Sequence, residues 1–256
     1  MPQVNNNSVI IDREYGKGMS PSDFFPSGSI RSLNIPITAV WDAEEMAAGD
    51  VSNGSVLAWT DLISGYRPSQ STVSAQPAYS PTGFNGRPAV LFDGVGDYLG
   101  LETVPFYSGT GQQFEVWLLA GQTRIATDIA VVRAFSFGGG TGATAFRVGS
   151  VNVGGNKRVA DARVVQDAAT DYLGNNLVRT VTTATTVAMT VGTGATTTAT
   201  TATSIGTSRL RIGGSDNVVA DSPWQGPISA IVVTPLLTSA QAALLSQYLR
   251  SRGGLP

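Results

Sequence analysis

The chain has 256 residues, 42% of them hydrophobic and only 13% charged, with a formal net charge of −2. That is enough apolar material for one sizeable core, and the charge balance leaves no electrostatic footprint for DNA or RNA. Cysteine and histidine are both absent, which excludes disulfides, zinc-thiolate sites, cysteine nucleophiles and any imidazole base, a Ser-His-Asp arrangement included.

The first stretch, MPQVNNNSVIIDREYG, lacks the charged-then-apolar pattern of a signal peptide. No apolar run reaches the roughly 20 residues a membrane span needs. The expectation is a protein made in the cytoplasm, without membrane insertion. Residues 1–35 read as an arm. Val9 to Ile11 fit a short strand, and SPSDFFPSG (20–28) opens with an N-cap serine and a first-turn proline, then stops at Pro26 and Gly28. The result is a one-turn element presenting Phe24 and Phe25, which pack either on the arm's own domain or into a partner.

From Ile37 the pattern turns to strands. ITAVWDA (37–43) and VLAWTDL (56–62) alternate apolar with polar or small residues. FNGRPAVLFDG (84–94) holds an Asn-Gly turn followed by an apolar run, and FEVWLLAGQ (114–122) puts Phe114, Val116 and Leu118 on one face. DIAVVRAFSFGG (128–139) and ATAFRVGSVNVGG (143–155) read as neighbouring strands. VGGNKRV (153–159) reads as a hairpin turn, since it lacks the spacing and the Lys-Ser/Thr ending of a phosphate-binding loop. Residues 180–204 are almost entirely Thr, Ala, Val and Gly; the β-forming Thr and Val predict two strands around VGTG (191–194), with threonines toward solvent. The one helix predicted is C-terminal. Thr238 and Gln241 make a capping box, Leu244, Leu245, Tyr248 and Leu249 form an apolar stripe, and Gly253 and Gly254 end it.

Four phrases recur in a recognisable order: AWTDLISG (58–65), AQPAYSPTGFNGRPAVLFDGVGDYLG (75–100), LRIGGSDN (210–217) and GPISAIVVTPLLTSAQAALLSQYLRSRGGL (226–255). Together they resemble the laminin G-like branch of the concanavalin A-like lectin/glucanase superfamily. The resemblance covers residues 36–256. It implies an all-β fold: a two-sheet antiparallel jelly-roll β-sandwich with a short C-terminal helix, preceded by the arm. Function lives in sites grafted on folds, so the resemblance speaks less to activity.

Glucanases of this superfamily carry two Glu flanking an Asp on one strand, the pair that retaining hydrolysis needs roughly 5 Å apart. Glutamates occur only as Glu14, Glu44, Glu45, Glu102 and Glu115, and none forms a Glu-x-Asp-x-x-Glu pattern. No catalytic residue is assigned, and the chain is expected not to be an enzyme. FDGVGDYLG (92–100) reads as turn chemistry. Laminin G-like domains can bind calcium through such loops, but related sequences often have an Asp where this chain has Gly96, so no metal and no cofactor is expected.

The resemblance is to free-standing domains in tailed-bacteriophage virions, which implies a structural, non-enzymatic protein that decorates a capsid or forms a neck or tail appendage. Tyr15, Phe24, Phe25 and Arg31 are then the residues that anchor the arm to other virion proteins. A homo-oligomer, a trimer above all, is expected. Tyr66, Tyr107 and Trp224 are candidate contacts for a host surface glycan, although Trp224 reads more readily as core. The alternatives are a carbohydrate-binding module unrelated to a virion and a glycoside hydrolase.

Overall fold

The computed structural model describes residues 29–103, 106–107, 109–123, 131–138, 145–153, 156–161, 164–165, 174–200, 204–206, 209–214 and 223–256. The strands are β1 (Ala39–Asp42), β2 (Val51–Ser52), β3 (Ser55–Val56), β4 (Ala78–Phe84), β5 (Arg87–Asp93) and β6 (Leu99–Leu101). Then come β7 (Gly109–Thr110), β8 (Phe114–Gln122), β9 (Val131–Gly138), β10 (Ala145–Val153), β11 (Asn156–Asp161) and β12 (Val164–Val165). The last are β13 (Gly174–Thr182), β14 (Thr186–Val191), β15 (Thr197–Thr200), β16 (Ser204–Ile205), β17 (Arg209–Ile212) and β18 (Gln225–Thr234), followed by helix α1 (Ser239–Arg252).

Two antiparallel sheets form a sandwich. The larger runs β15-β14-β13-β8-β18-β5-β4-β3-β2, with β1 also paired to β18; the smaller runs β12-β11-β10-β9-β17-β6. Side chains that alternate along the strands of both sheets meet between them: Trp41, Val116 and Leu118 from one side, Phe135, Phe137 and Ile212 from the other. Phe114 of β8 packs against Phe137 and Phe146 across this core, with ring centroids 5.5 and 5.3 Å apart. Trp41, Trp59 and Trp117 are all buried.

The outer face of the large sheet is covered as well. Ile30, Leu33, Val40, Trp117, Leu119 and Val232 form a second core beneath α1, which contributes Ala242, Leu245, Tyr248 and Leu249. Strands β8 and β18 are therefore buried on both faces, and β8 is buried along its whole length. The helix begins as its capping box predicts: the Thr238 side chain accepts from Gln241 N–H, and the Gln241 side chain accepts from Thr238 N–H. Arg252 ties its last turn to the end of β1 and to the 3-10 turn after it, with Nη2 3.1 Å from Asp42 and Nη1 2.6 Å from Glu44.

Turn chemistry fixes the hairpins. Asn85 and Gly86 both take positive φ, 50° and 78°, between β4 and β5, as a two-residue hairpin requires. The strands on either side of VGTG are β14 and β15. One expectation there is corrected. Thr180 and Thr182 of β13 are fully buried rather than solvent-facing, because Val178, two and four residues earlier, sets that side of the strand toward the core. Among the described residues no helix is long and apolar enough to cross a membrane.

Candidate functional site

Beside α1, the outer face of the large sheet is left partly uncovered, and a groove of about 400 Å³ opens there. Strand register builds its floor. Trp117 of β8 stands opposite Arg179 of β13, and Arg179 stands opposite Thr190 of β14. Three side chains thus cross three adjacent strands in one row. The Arg179 guanidinium lies over the Trp117 ring, 4.7 Å from its centroid. Its Nε and Nη2 each donate to Glu115, at 3.0 Å. Glu115 is 1% exposed and its partner 31%, so the pair is half sheltered from solvent.

The walls come from the β14–β15 turn and from α1. Thr190 Oγ1 is 2.7 Å from Thr196 Oγ1 beyond the β14–β15 turn. On the other side α1 offers Ser239, Ala243 and Ser246. The walls are tied to one another. Arg250 of α1 donates to the carbonyl of Gly192 in the turn, and the Leu237 N–H ahead of the helix donates to Glu115 at 3.1 Å. The lining therefore presents hydroxyls, one guanidinium whose charge is matched by the carboxylate behind it, and apolar surface from Leu177 and Leu237. Such a mixture orients a ligand by hydrogen bonds against an apolar wall.

Carboxylates elsewhere are engaged in structure. In the turn after β5, Asp93 accepts from the N–H groups of Val95, Gly96 and Asp97 at 2.7, 3.2 and 3.4 Å, and Asp97 accepts from Asp93 N–H at 3.0 Å. Burial, then the charge of Asp93, pushes the Asp97 carboxyl up to about 6. Burial pushes Asp93 upward too, but the turn N–H groups outweigh it and leave that carboxyl below its usual value. Glu102 is held low by hydrogen bonds from Arg209 and Arg211. Among the described residues no three or more acidic side chains gather as a metal site.

The residues singled out from sequence fall in different places. Tyr15, Phe24 and Phe25 lie outside the described residues. Arg31 is exposed on a single 3-10 turn, Ile30–Leu33, whose Ile30 and Leu33 are buried in the second core. Tyr66 and Tyr107 are brought together around Phe106, with centroid distances of 6.2 and 5.9 Å. Tyr107 is also stacked on Phe114 at 4.9 Å, and its hydroxyl is 2.8 Å from Thr38 Oγ1. Both rings are thus committed to the edge of the core. Trp224 is corrected as a ligand contact: it is fully buried in the inter-sheet core, where no sugar reaches its ring. The groove residues were missed from sequence. The available signal was a lone Glu in FEVWLLAGQ and a lone Arg in NNLVRTVT, opposite charges in otherwise uncharged strands.

No sequence profile of a known family matches the chain, and no curated protein matches it. The fold is similar to that of an arabinofuranosidase solved with arabinofuranosyl-α-1,2-xylobiose: TM-score 0.61, 11% identity, over 92% of this chain and 65% of that one. Domain 4 of an extracellular arabinanase from Geobacillus stearothermophilus, solved with arabinotriose, aligns with TM-score 0.51 and 15% identity over 83% of this chain and 98% of that one. A Trypanosoma rangeli sialidase in complex with sialic acid aligns with TM-score 0.55 and 13% identity over 84% of this chain and 33% of that one. The chain therefore spans less than two thirds of the arabinofuranosidase and a third of the sialidase.

At such identities the likeness establishes the fold alone, a β-sandwich. It also corrects the expectation that the chain is not an enzyme. That expectation rested on the missing Glu-x-Asp-x-x-Glu pattern and on the absence of histidine and cysteine, and the similar folds belong to an arabinofuranosidase and a sialidase. Carboxylates brought together from separate strands leave no such pattern in sequence.

Proposed function

We propose that this chain is a carbohydrate-binding β-sandwich. The observation that carries the reading is the arabinanase domain, which is matched over nearly its whole length and was solved with arabinotriose. A groove lined by hydroxyls, a guanidinium and apolar surface supports it, since saccharides present both hydroxyl groups and apolar C–H faces. The concanavalin A-like jelly-roll class belongs to the same proposal. The virion appendage role expected from sequence draws no support from the similar structures, and carbohydrate binding, there the alternative, takes its place.

Calorimetric titration of the full chain tests this with arabinotriose, xylotriose and 3′-sialyllactose, backed by retardation in gels containing arabinan or arabinoxylan. The expected result is saturable binding of at least one saccharide with a dissociation constant below about 1 mM. Heats indistinguishable from dilution for all three, with no retardation in either gel, would reject it.

A further inference from the structure

We infer that the groove beside α1 is the saccharide site, and that it selects short neutral sugars by hydrogen bonding rather than by aromatic stacking. This rests on the carbohydrate-binding reading above and adds the place, the ligand class and the mode of recognition.

Charge is the first argument. Among the described residues Arg179 is the one charged side chain in the lining, and Glu115 behind it already takes two of its donors at 3.0 Å. An anionic sugar would have to compete with that buried carboxylate for the fork. A neutral sugar needs only the remaining Nη1, which has no partner among the described residues and is positioned by the pair.

Recognition mode is the second. The flat face that usually receives a sugar ring is an aromatic one, and here Arg179 covers the face of Trp117 at 4.7 Å. What remains for a ligand is the Thr190–Thr196 hydroxyl pair, Ser239 and Ser246, with Leu177 and Ala243 as apolar contacts. A hydroxyl can both donate and accept, which matches the hydroxyls of a neutral sugar. Size is the third. About 400 Å³ lies toward the small end of the roughly 300–1,000 Å³ found for ligand sites, which fits a short saccharide. The walls are also fixed in advance by the Arg250–Gly192 and Leu237–Glu115 hydrogen bonds, so little ordering is needed on binding.

The test uses the full chain and the same three probes. Ala243→Trp fills the groove from an exposed helix position, and Arg179→Lys keeps the charge but loses the fork. Wild type should bind arabinotriose or xylotriose in preference to 3′-sialyllactose, with affinity unchanged between low and high salt. Ala243→Trp should weaken that binding by about tenfold or more with the thermal midpoint unchanged. Arg179→Lys should weaken it as well. Unaltered affinity in a folded Ala243→Trp would overturn the groove and leave carbohydrate binding standing. Preference for sialyllactose would overturn the neutral class. Binding of no saccharide by wild type would sink the carbohydrate reading itself, and the groove assignment with it.

Discussion

Replacing Glu115 by alanine removes more than one interaction. Its carboxylate accepts from Arg179 Nε and Nη2, both at 3.0 Å, and from the Leu237 N–H at 3.1 Å. Glu115→Ala therefore strands a guanidinium over Trp117 and leaves a backbone donor ahead of α1 without its acceptor. Removing one partner of a fully buried pair costs about 3–5 kcal/mol. Arg179 is 31% exposed and recovers part of its hydration, which brings the expectation to about 2–4 kcal/mol. For a chain of this size that is a fall of about 5–15 °C in thermal midpoint. The assay is urea unfolding followed by tryptophan fluorescence, with thermal unfolding beside it. Glu115→Gln, which keeps the shape and one acceptor oxygen, should lose about half as much. Arg179→Met combined with Glu115→Ala should recover stability relative to Glu115→Ala alone, because no unpaired charge remains and the methionine still covers the indole. A Glu115→Ala midpoint shift worth less than about 0.5 kcal/mol, the range of neutral surface changes, would refute the pair as a stabilising element and the idea that it presets Arg179.

Three further outcomes follow from other sites. Gly226 has φ +139° and a Cβ there would sit 2.1 Å from the Gly121 carbonyl oxygen, so Gly226→Ala should cost about 3 kcal/mol or more; a denaturation midpoint near wild type would contradict that geometry. Asp97 is pushed up to about 6 by burial and by Asp93, so the folded state holds a proton that the unfolded state has released. Stability should fall as pH rises from near 4 to 6, and the stability gap between Asp97→Asn and wild type should widen in the variant's favour over that window; a gap independent of pH would exclude the shift. Arg252→Met leaves Asp42, 3% exposed, without its counterion, at a cost of about 2–4 kcal/mol at neutral pH. Burial already raises Asp42 even with Arg252 opposing it, so the loss should shrink as acid protonates the carboxyl, which titration of the unfolding midpoint reads directly.

Much of the sandwich is legible in the residues. The Asn85-Gly86 turn, the alternation of Phe114, Val116 and Leu118, and the Thr238–Gln241 capping box each encode a local geometry, and each is found. What period-2 alternation does not encode is the identity of a strand's neighbour, so the central place of β18 between β8, β5 and β1 is invisible until the chain folds. The same limit hid the groove. Glu115 and Arg179 lie 64 residues apart and meet only through the β8–β13 register. The buried threonines of β13 were misplaced because a run of β-formers of similar size carries no clear polar face, and the inward side is decided by Val178 alone. Trp224 read from sequence more readily as core than as a ligand contact, and its burial comes from strands distant in sequence.

The central position of β18 has a consequence for how the protein is made. β1, β5 and β8 all pair with a strand that follows them by more than a hundred residues. Until that strand exists, three earlier strands carry raw edges, and the apolar face later sealed by α1 is open to water or to another chain. Contacts closed over such distances fold slowly. The nascent chain therefore passes through a long interval of exposed strand edges, when self-association competes with folding. Substitutions that leave the finished sandwich as stable as before, but slow the docking of β18, should show up first as lost yield.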